Sequence, residues 1–113
     1  MTAPNWLRAE VNPRKLLDYL LSTTHPRGRS KAAFFRAIGF TTANHSELAE
    51  ALRGHALNGY ATVCETTRYG TLYQVDGEII SPSGKPAYLR SIWLVRPGGD
   101  TPQFITAYPL RTR

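Results

Sequence analysis

The hydrophobic pattern changes period near residue 60. Before that point apolar residues recur three and four apart; after it they alternate within runs rich in Thr, Val, Ile and Tyr. Asn12-Pro13 opens a first helix, with Asn as N-cap and Pro at the first helical position. Leu16, Leu17, Leu20 and Leu21 form its apolar stripe, and Lys15 and Asp18 face away. The helix fails by Thr23-Thr24, because Pro26 disfavours helical geometry at His25. Ser30 caps a second helix over 31–38, which Gly39 ends, with Phe34 and Phe35 partly in the core. Asn44 with Glu47 is a capping-box-like start for a third helix. It turns Leu48, Ala51, Leu52 and His55 inward and ends at Asn58-Gly59.

The second half reads as strands. Residues 61–67 and 71–76 pair as a hairpin across Thr67-Arg68-Tyr69-Gly70. Glu78-Ile79-Ile80 is a short piece before the turn Ser81-Pro82-Ser83-Gly84-Lys85-Pro86. Residues 87–95 form the longest strand, and 103–108 return after Arg96-Pro97-Gly98-Gly99-Asp100. Short loops between consecutive strands favour an antiparallel meander. The expected architecture is α+β: N-terminal helices packed on one face of a four- to five-stranded antiparallel sheet. It is expected as one domain over 1–113: a loose arm at 1–11 tied down by Trp6 and Leu7, a helical part at 12–59, and the sheet at 60–110.

Charge adds the first functional signal. The net charge is +6. Residues 1–36 hold seven basic and two acidic groups, 7 − 2 = +5; residues 37–113 hold seven and six, 7 − 6 = +1. A field gathered in one third of the chain attracts phosphate backbones, acidic proteins or anionic lipid. With 42% hydrophobic and 19% charged residues the composition is that of a globular fold. No apolar run is longer than Ile92-Trp93-Leu94-Val95, and residues 1–10 lack the apolar stretch of a secretory signal. Cys64 is the single cysteine, which excludes an intrachain disulfide and suits a reducing cytoplasm. It is expected as a small buried residue in its strand.

Few residues can carry chemistry. No Cys-x-x-Cys or His-x-x-x-His occurs, so no metal site is expected. No Gly-x-Gly-x-x-Gly or Gly-Lys-Ser/Thr loop occurs, so no nucleotide cofactor is expected either. The richest stretch is His25 to Lys31, which gathers an imidazole, two guanidiniums, an ammonium and a helix start. Arg27 and Arg29 can grip a phosphate through paired donors, and the imidazole of His25 is intrinsically suited to proton transfer near neutrality. The last strand adds hydroxyls at Thr106 and Tyr108. With Val95 opposite Pro102, Trp93 faces Phe104, Ser91 faces Thr106 and Leu89 faces Tyr108, leaving Arg90 with Ile92 on the other face. A one-residue slip reverses that facing. Tyr69 and Tyr73 flank the hairpin turn and can stack on bases.

The order of short motifs then carries a resemblance. Lys15-Leu16-Leu17-Asp18-Tyr19-Leu20-Leu21, His25-Pro26-Arg27-Gly28, Lys31-Ala32-Ala33-Phe34-Phe35 and Gly39-Phe40 form its first part. Tyr69-Gly70 with Tyr73, Ser81-Pro82-Ser83-Gly84, Ile92-Trp93 and Thr106-Ala107-Tyr108-Pro109 continue it to about residue 110. This order resembles a bacterial domain family of unknown function related to the tRNA-cleaving C-terminal toxin domains of contact-dependent inhibition proteins. The resemblance implies the fold of the barnase, EndoU, colicin and RelE nucleases, with RNase activity restrained by a cognate antitoxin or immunity protein. It matches His25, Lys31, Thr106 and Tyr108 as catalytic candidates, with no second catalytic histidine among the matched positions.

The expected function is that of a small metal-independent ribonuclease toxin acting in the cytoplasm of the producing or a target cell. RNA, with tRNA as a candidate, is its substrate and an acidic antitoxin or immunity protein its partner. Arg27, Arg29, Arg90 and Tyr69 are the candidate contacts to phosphate and base; no cofactor and no membrane are involved. Two rivals stand beside it: a non-catalytic RNA-binding module, and a basic module that binds an acidic protein.

Overall fold

A computed structural model describes residues 4–22 and 29–110, with Arg29 and Ser30 as backbone only. A 3₁₀ turn (Trp6–Arg8) leads into α1 (Pro13–Lys15), which widens into a π-helical stretch over Leu16–Leu20. Then come α2 (Arg29–Ala37), a 3₁₀ turn (Thr42–Asn44) and α3 (His45–Asn58). Four strands follow: β1 (Tyr60–Thr67), β2 (Gly70–Ile80), β3 (Pro86–Val95) and β4 (Gln103–Pro109). They form one antiparallel sheet in the order β1-β2-β3-β4, the meander that short loops dictate.

One face of the sheet is covered by the helices. Val75, Ile79, Leu89, Trp93, Phe104 and Ala107 alternate onto it and pack against Leu16, Leu20, Phe35, Phe40, Leu48 and Leu52. Trp93 sits at the centre, fully buried, with edge-on contacts to Trp6 and Phe104. The opposite face is only half-covered. It carries Gln74, Asp76, Arg90, Ile92, Leu94, Thr106 and Tyr108.

Several local expectations change. The stretch expected as a loose arm is pinned: Ala9 and Val11 are buried, and the Glu10 backbone pairs with β4 through Pro102 O and the Phe104 N–H. Trp6 ties it down, whereas Leu7 is exposed. Glu78-Ile79-Ile80 is not a separate piece but the end of β2. Asn44 does not cap α3 with its side chain; it accepts from the Thr41 N–H in a capping box one turn earlier. α2 starts at Arg29, so Ser30 lies inside the helix and not before it. Cys64 is exposed, like nearly all of β1, because β1 is an uncovered edge strand of the sheet. Among the described residues no helix is long and apolar enough to cross a membrane.

Candidate functional site

Three segments meet beside β4. Lys31, in the first turn of α2, is followed by the buried Ala32 and, one turn on, by the buried Phe35. This anchoring lays the lysine stem along the core while its ammonium reaches out to the sheet edge. There Nζ donates to the Tyr19 hydroxyl at 2.6 Å and to Thr106 Oγ1 at 3.3 Å. The two hydroxyls are 3.5 Å apart, closing a triangle. The ammonium lies 5.1 Å from the Tyr19 ring centre but only 2.6 Å from its oxygen, so it sits beyond the hydroxyl. It is a hydrogen-bond donor to the phenol and not a cation stacked on the ring. Tyr19 is delivered by the π-helical stretch, where the Leu21 N–H bonds back five residues to Leu16 O. Such widened turns recur at functional sites.

Thr106 is delivered by a β-bulge. Trp93 pairs with Phe104, as expected, but Ile92 then pairs with Thr106 and Arg90 with Tyr108. Ile105 is the extra residue. The bulge reverses the expected facing of everything beyond it: Thr106 and Tyr108 leave the Trp93 side and join Arg90 on the half-covered face. Ser91 pairs with Ala107 and Leu89 with Pro109 instead.

On that face a row of polar residues crosses three strands. Asp76 pairs with Arg90, and Arg90 with Tyr108. Arg90 grips Asp76 through two bonds, Nε to Oδ1 at 2.7 Å and Nη2 to Oδ2 at 2.9 Å. Asp76 first, and then Tyr108 opposite Arg90 on β4, hold the guanidinium protonated more firmly than usual. Two of its donors are thus directed at a carboxylate. Arg90, expected as a phosphate contact, is paired with Asp76 and lies opposite Tyr108 on β4.

Tyr19 has the perturbed acidity of the cluster. Burial raises its pKa, but the Lys31 and Thr106 hydrogen bonds and the charges of Lys31 and Lys15 outweigh burial, so it falls below the ordinary phenol value. Such a group gives up its proton more readily than a free tyrosine.

His55 is a contrasting case. It is buried, with Nε2 near the Gly77 and Leu89 carbonyl oxygens at 3.1 and 3.0 Å and Nδ1 2.9 Å from Ser91 Oγ. Two carbonyls require Nε2 to carry the proton, so Nδ1 accepts from Ser91, whose oxygen accepts from Trp93 Nε1 at 2.7 Å. Burial keeps this imidazole neutral by lowering its pKa. Every nitrogen has a structural partner, and the residue locks α3 to the sheet.

Of the residues expected from sequence, Lys31 and Thr106 are in contact, and Tyr108 follows Thr106 on the same face. Tyr69 is elsewhere. It lies in the β1–β2 turn under Arg68, two to three strand spacings or about 10–14 Å across the sheet from β4. His25, Arg27 and the Arg29 side chain lie outside the described residues. Tyr19 and Asp76 were not anticipated. A hydroxyl among the leucines of the first helix was the available signal for Tyr19, since a buried phenol needs a partner for its polar end. Asp76 depends on the β2–β3 register, which the turn at 81–86 constrains.

Residues 2–111 match the family described as "Domain of unknown function (DUF6883)". No curated protein matches the chain. Its fold is similar to that of a chain in a solved "Contact-dependent growth inhibition toxin - immunity protein complex from Klebsiella pneumoniae 342", with a TM-score of 0.71 and 23% identity. The likeness covers 95% of this chain and 97% of the other. At that identity it is a likeness of fold.

Proposed function

The chain belongs to the DUF6883 family of domains of unknown function, and from that premise we propose that it is the toxin of a toxin–immunity pair, a small endoribonuclease that needs no metal ion. The fold likeness to a chain of a toxin–immunity complex supports a toxin or immunity module with a protein partner. The net charge of +6 favours the toxin side, since an RNA-cleaving protein must hold a polyanion and its inhibitor must compete with one. The observation that carries the reading is the Tyr19–Lys31–Thr106 triangle, set beside Tyr108, which lies opposite the Asp76-paired Arg90.

RNA supplies its own nucleophile. The 2′-hydroxyl proton passes to His25 as the 2′-oxygen attacks phosphorus. The bond from phosphorus to the 5′-oxygen breaks, and that oxygen takes a proton from Tyr108. Lys31 and Arg27 meet the charge that grows on the phosphoryl oxygens, where fixed donors act most strongly. Thr106 orients one of those oxygens, and Tyr19 holds the Lys31 ammonium at the point of need. Arg29 binds a flanking phosphate, and tRNA is the candidate substrate. An acidic immunity protein covers this basic cleft.

The test is cleavage of purified RNA in excess chelator, with the product ends identified. Ends carrying a 2′,3′-cyclic phosphate and a 5′-hydroxyl are expected, DNA and 2′-O-methyl RNA should resist, and His25→Ala should slow cleavage by about 10²–10⁴-fold. Cleavage that stops with chelator, or full activity of His25→Ala, overturns the mechanism. Tight RNA binding with no cleavage returns the non-catalytic binding module instead.

A further inference from the structure

A groove of about 670 Å³ runs between the pinned N-terminal segment and the β3–β4 hairpin. Its volume is in the range that takes a nucleotide-sized ligand. The charged residues along it are Lys15, Arg53 and Arg96 against Glu10, a balance of 3 − 1 = +2. Leu94 and Ile105 supply an apolar floor. The cations are available to a ligand: Lys15 and Arg96 are exposed, and Arg96 donates to the neutral Gln103 amide oxygen at 3.1 Å. Arg53 pairs with Glu50, whose side chain is 75% exposed, so that pair is weak and open to competition.

The groove also adjoins the triangle. Ile105, the bulged residue in its floor, is the chain neighbour of Thr106. Lys15, at its side, acts electrostatically on the Tyr19 phenol. Positive charge therefore continues from Arg96 past Lys15 to Lys31, and an apolar surface lies beneath the outer part. A single-stranded nucleic acid asks for that pairing: cations spaced along the phosphates and an apolar surface for the bases.

We infer that this groove is a subsite for single-stranded RNA, holding the nucleotides on one side of the phosphate that sits at Lys31. The inference rests on the ribonuclease reading for its orientation, but the binding it describes can be measured without cleavage. Each phosphate neutralised on a single strand contributes about −0.7 to the slope of log affinity against log salt. Removing Arg53 and Arg96 together should therefore make the slope shallower by about 1.4.

The experiment uses the whole protein and a short single-stranded RNA that is 2′-O-methylated throughout, followed by fluorescence anisotropy over a salt series. Arg53→Ala with Arg96→Ala is compared with the wild type and with Lys85→Ala, a cation in the β2–β3 turn. A thermal melt confirms that each variant is folded. The expected result is a slope reduced by about 1.4 in the double variant alone. An unchanged slope, an equal change in Lys85→Ala, or no binding by the wild type overturns the groove. So does a double variant that loses only its grip on an acidic protein. Unmodified RNA is tested in parallel to separate the two readings. Cleavage with an unchanged slope leaves the ribonuclease and removes the subsite. A reduced slope without cleavage keeps the subsite and removes the ribonuclease.

Discussion

Removing the Asp76 carboxylate tests whether the polar row across the half-covered face is built as described. Asp76 and Arg90 are joined by two charge-assisted bonds of 2.7 and 2.9 Å, with side chains 25% and 28% exposed. A bond to a charged group contributes about 1.5–3 kcal/mol when buried. Here water still reaches the guanidinium, so the pair should sit near the low end. Asp76→Ala should cost about 2 kcal/mol, close to an 8 °C loss in a domain of this size. Asp76→Asn keeps one acceptor and should lose about half as much. A double-mutant cycle with Arg90→Ala isolates the pair and should return a coupling of roughly 1–2 kcal/mol. The assay is urea unfolding at neutral pH, followed by circular dichroism. Without Asp76 the guanidinium is free to swing, and Tyr108 loses its fixed neighbour. Cleavage should therefore slow even well below the melting temperature, with a larger effect on kcat than on KM. A coupling below about 0.3 kcal/mol, within the scatter of independent sites, would show that the row is not an energetic unit.

Three further outcomes follow from individual residues. His55 has a folded-state pKa below its unfolded value because it is buried, so the unfolded chain binds the extra proton; its stabilisation is present above about pH 6.5 and lost as pH falls through the lower folded value. Urea midpoints between pH 7 and 5.5 should fall in the wild type and flatten in His55→Gln, and parallel slopes would remove the assignment. Gly70 has φ +134°, and a Cβ there would strike the Val95 carbonyl oxygen, so Gly70→Ala should cost clearly more than Gly84→Ala, where the space is open and only the strain of φ +84°, about 1 kcal/mol, is lost. Equal losses at both glycines would contradict the close approach. Reversing Arg27 and Arg29 to Glu should weaken RNA binding more than reversing Arg111 and Arg113, and equal effects would discard the 25–31 segment as the main phosphate contact.

The sequence made the architecture readable because its two periods are clean. The leucine stripe, the switch near Tyr60 and the turn residues at 67–70, 81–86 and 96–100 give helices, strands and meander order. Strand pairing was readable as far as Trp93 opposite Phe104 and no further. Ile105 has no feature that announces a bulge, yet that one residue carries Thr106 and Tyr108 to the face of Arg90. Cys64 was misplaced because a strand pattern does not reveal that β1 is an uncovered edge, exposed along nearly its whole length. Tyr19 was hidden by the assumption of regular helix geometry through Leu16–Leu20, where the backbone widens to a five-residue turn. Lys31 and Thr106 were legible as residue types, but their contact joins positions 75 residues apart and belongs to the tertiary fold alone.

The central claim is that the Lys31 ammonium, held by Tyr19 and Thr106, stands where phosphate charge develops. Single-turnover cleavage of an unmodified RNA by Lys31→Ala tests it most directly, with Lys85→Ala as the surface control and both proteins shown to be folded. Removing a donor of this kind should lower the rate constant by about 10²–10³-fold, with the product ends unchanged and a much smaller loss in binding of a 2′-O-methyl RNA. A Lys31→Ala protein that cleaves within a few-fold of the wild-type rate contradicts the account.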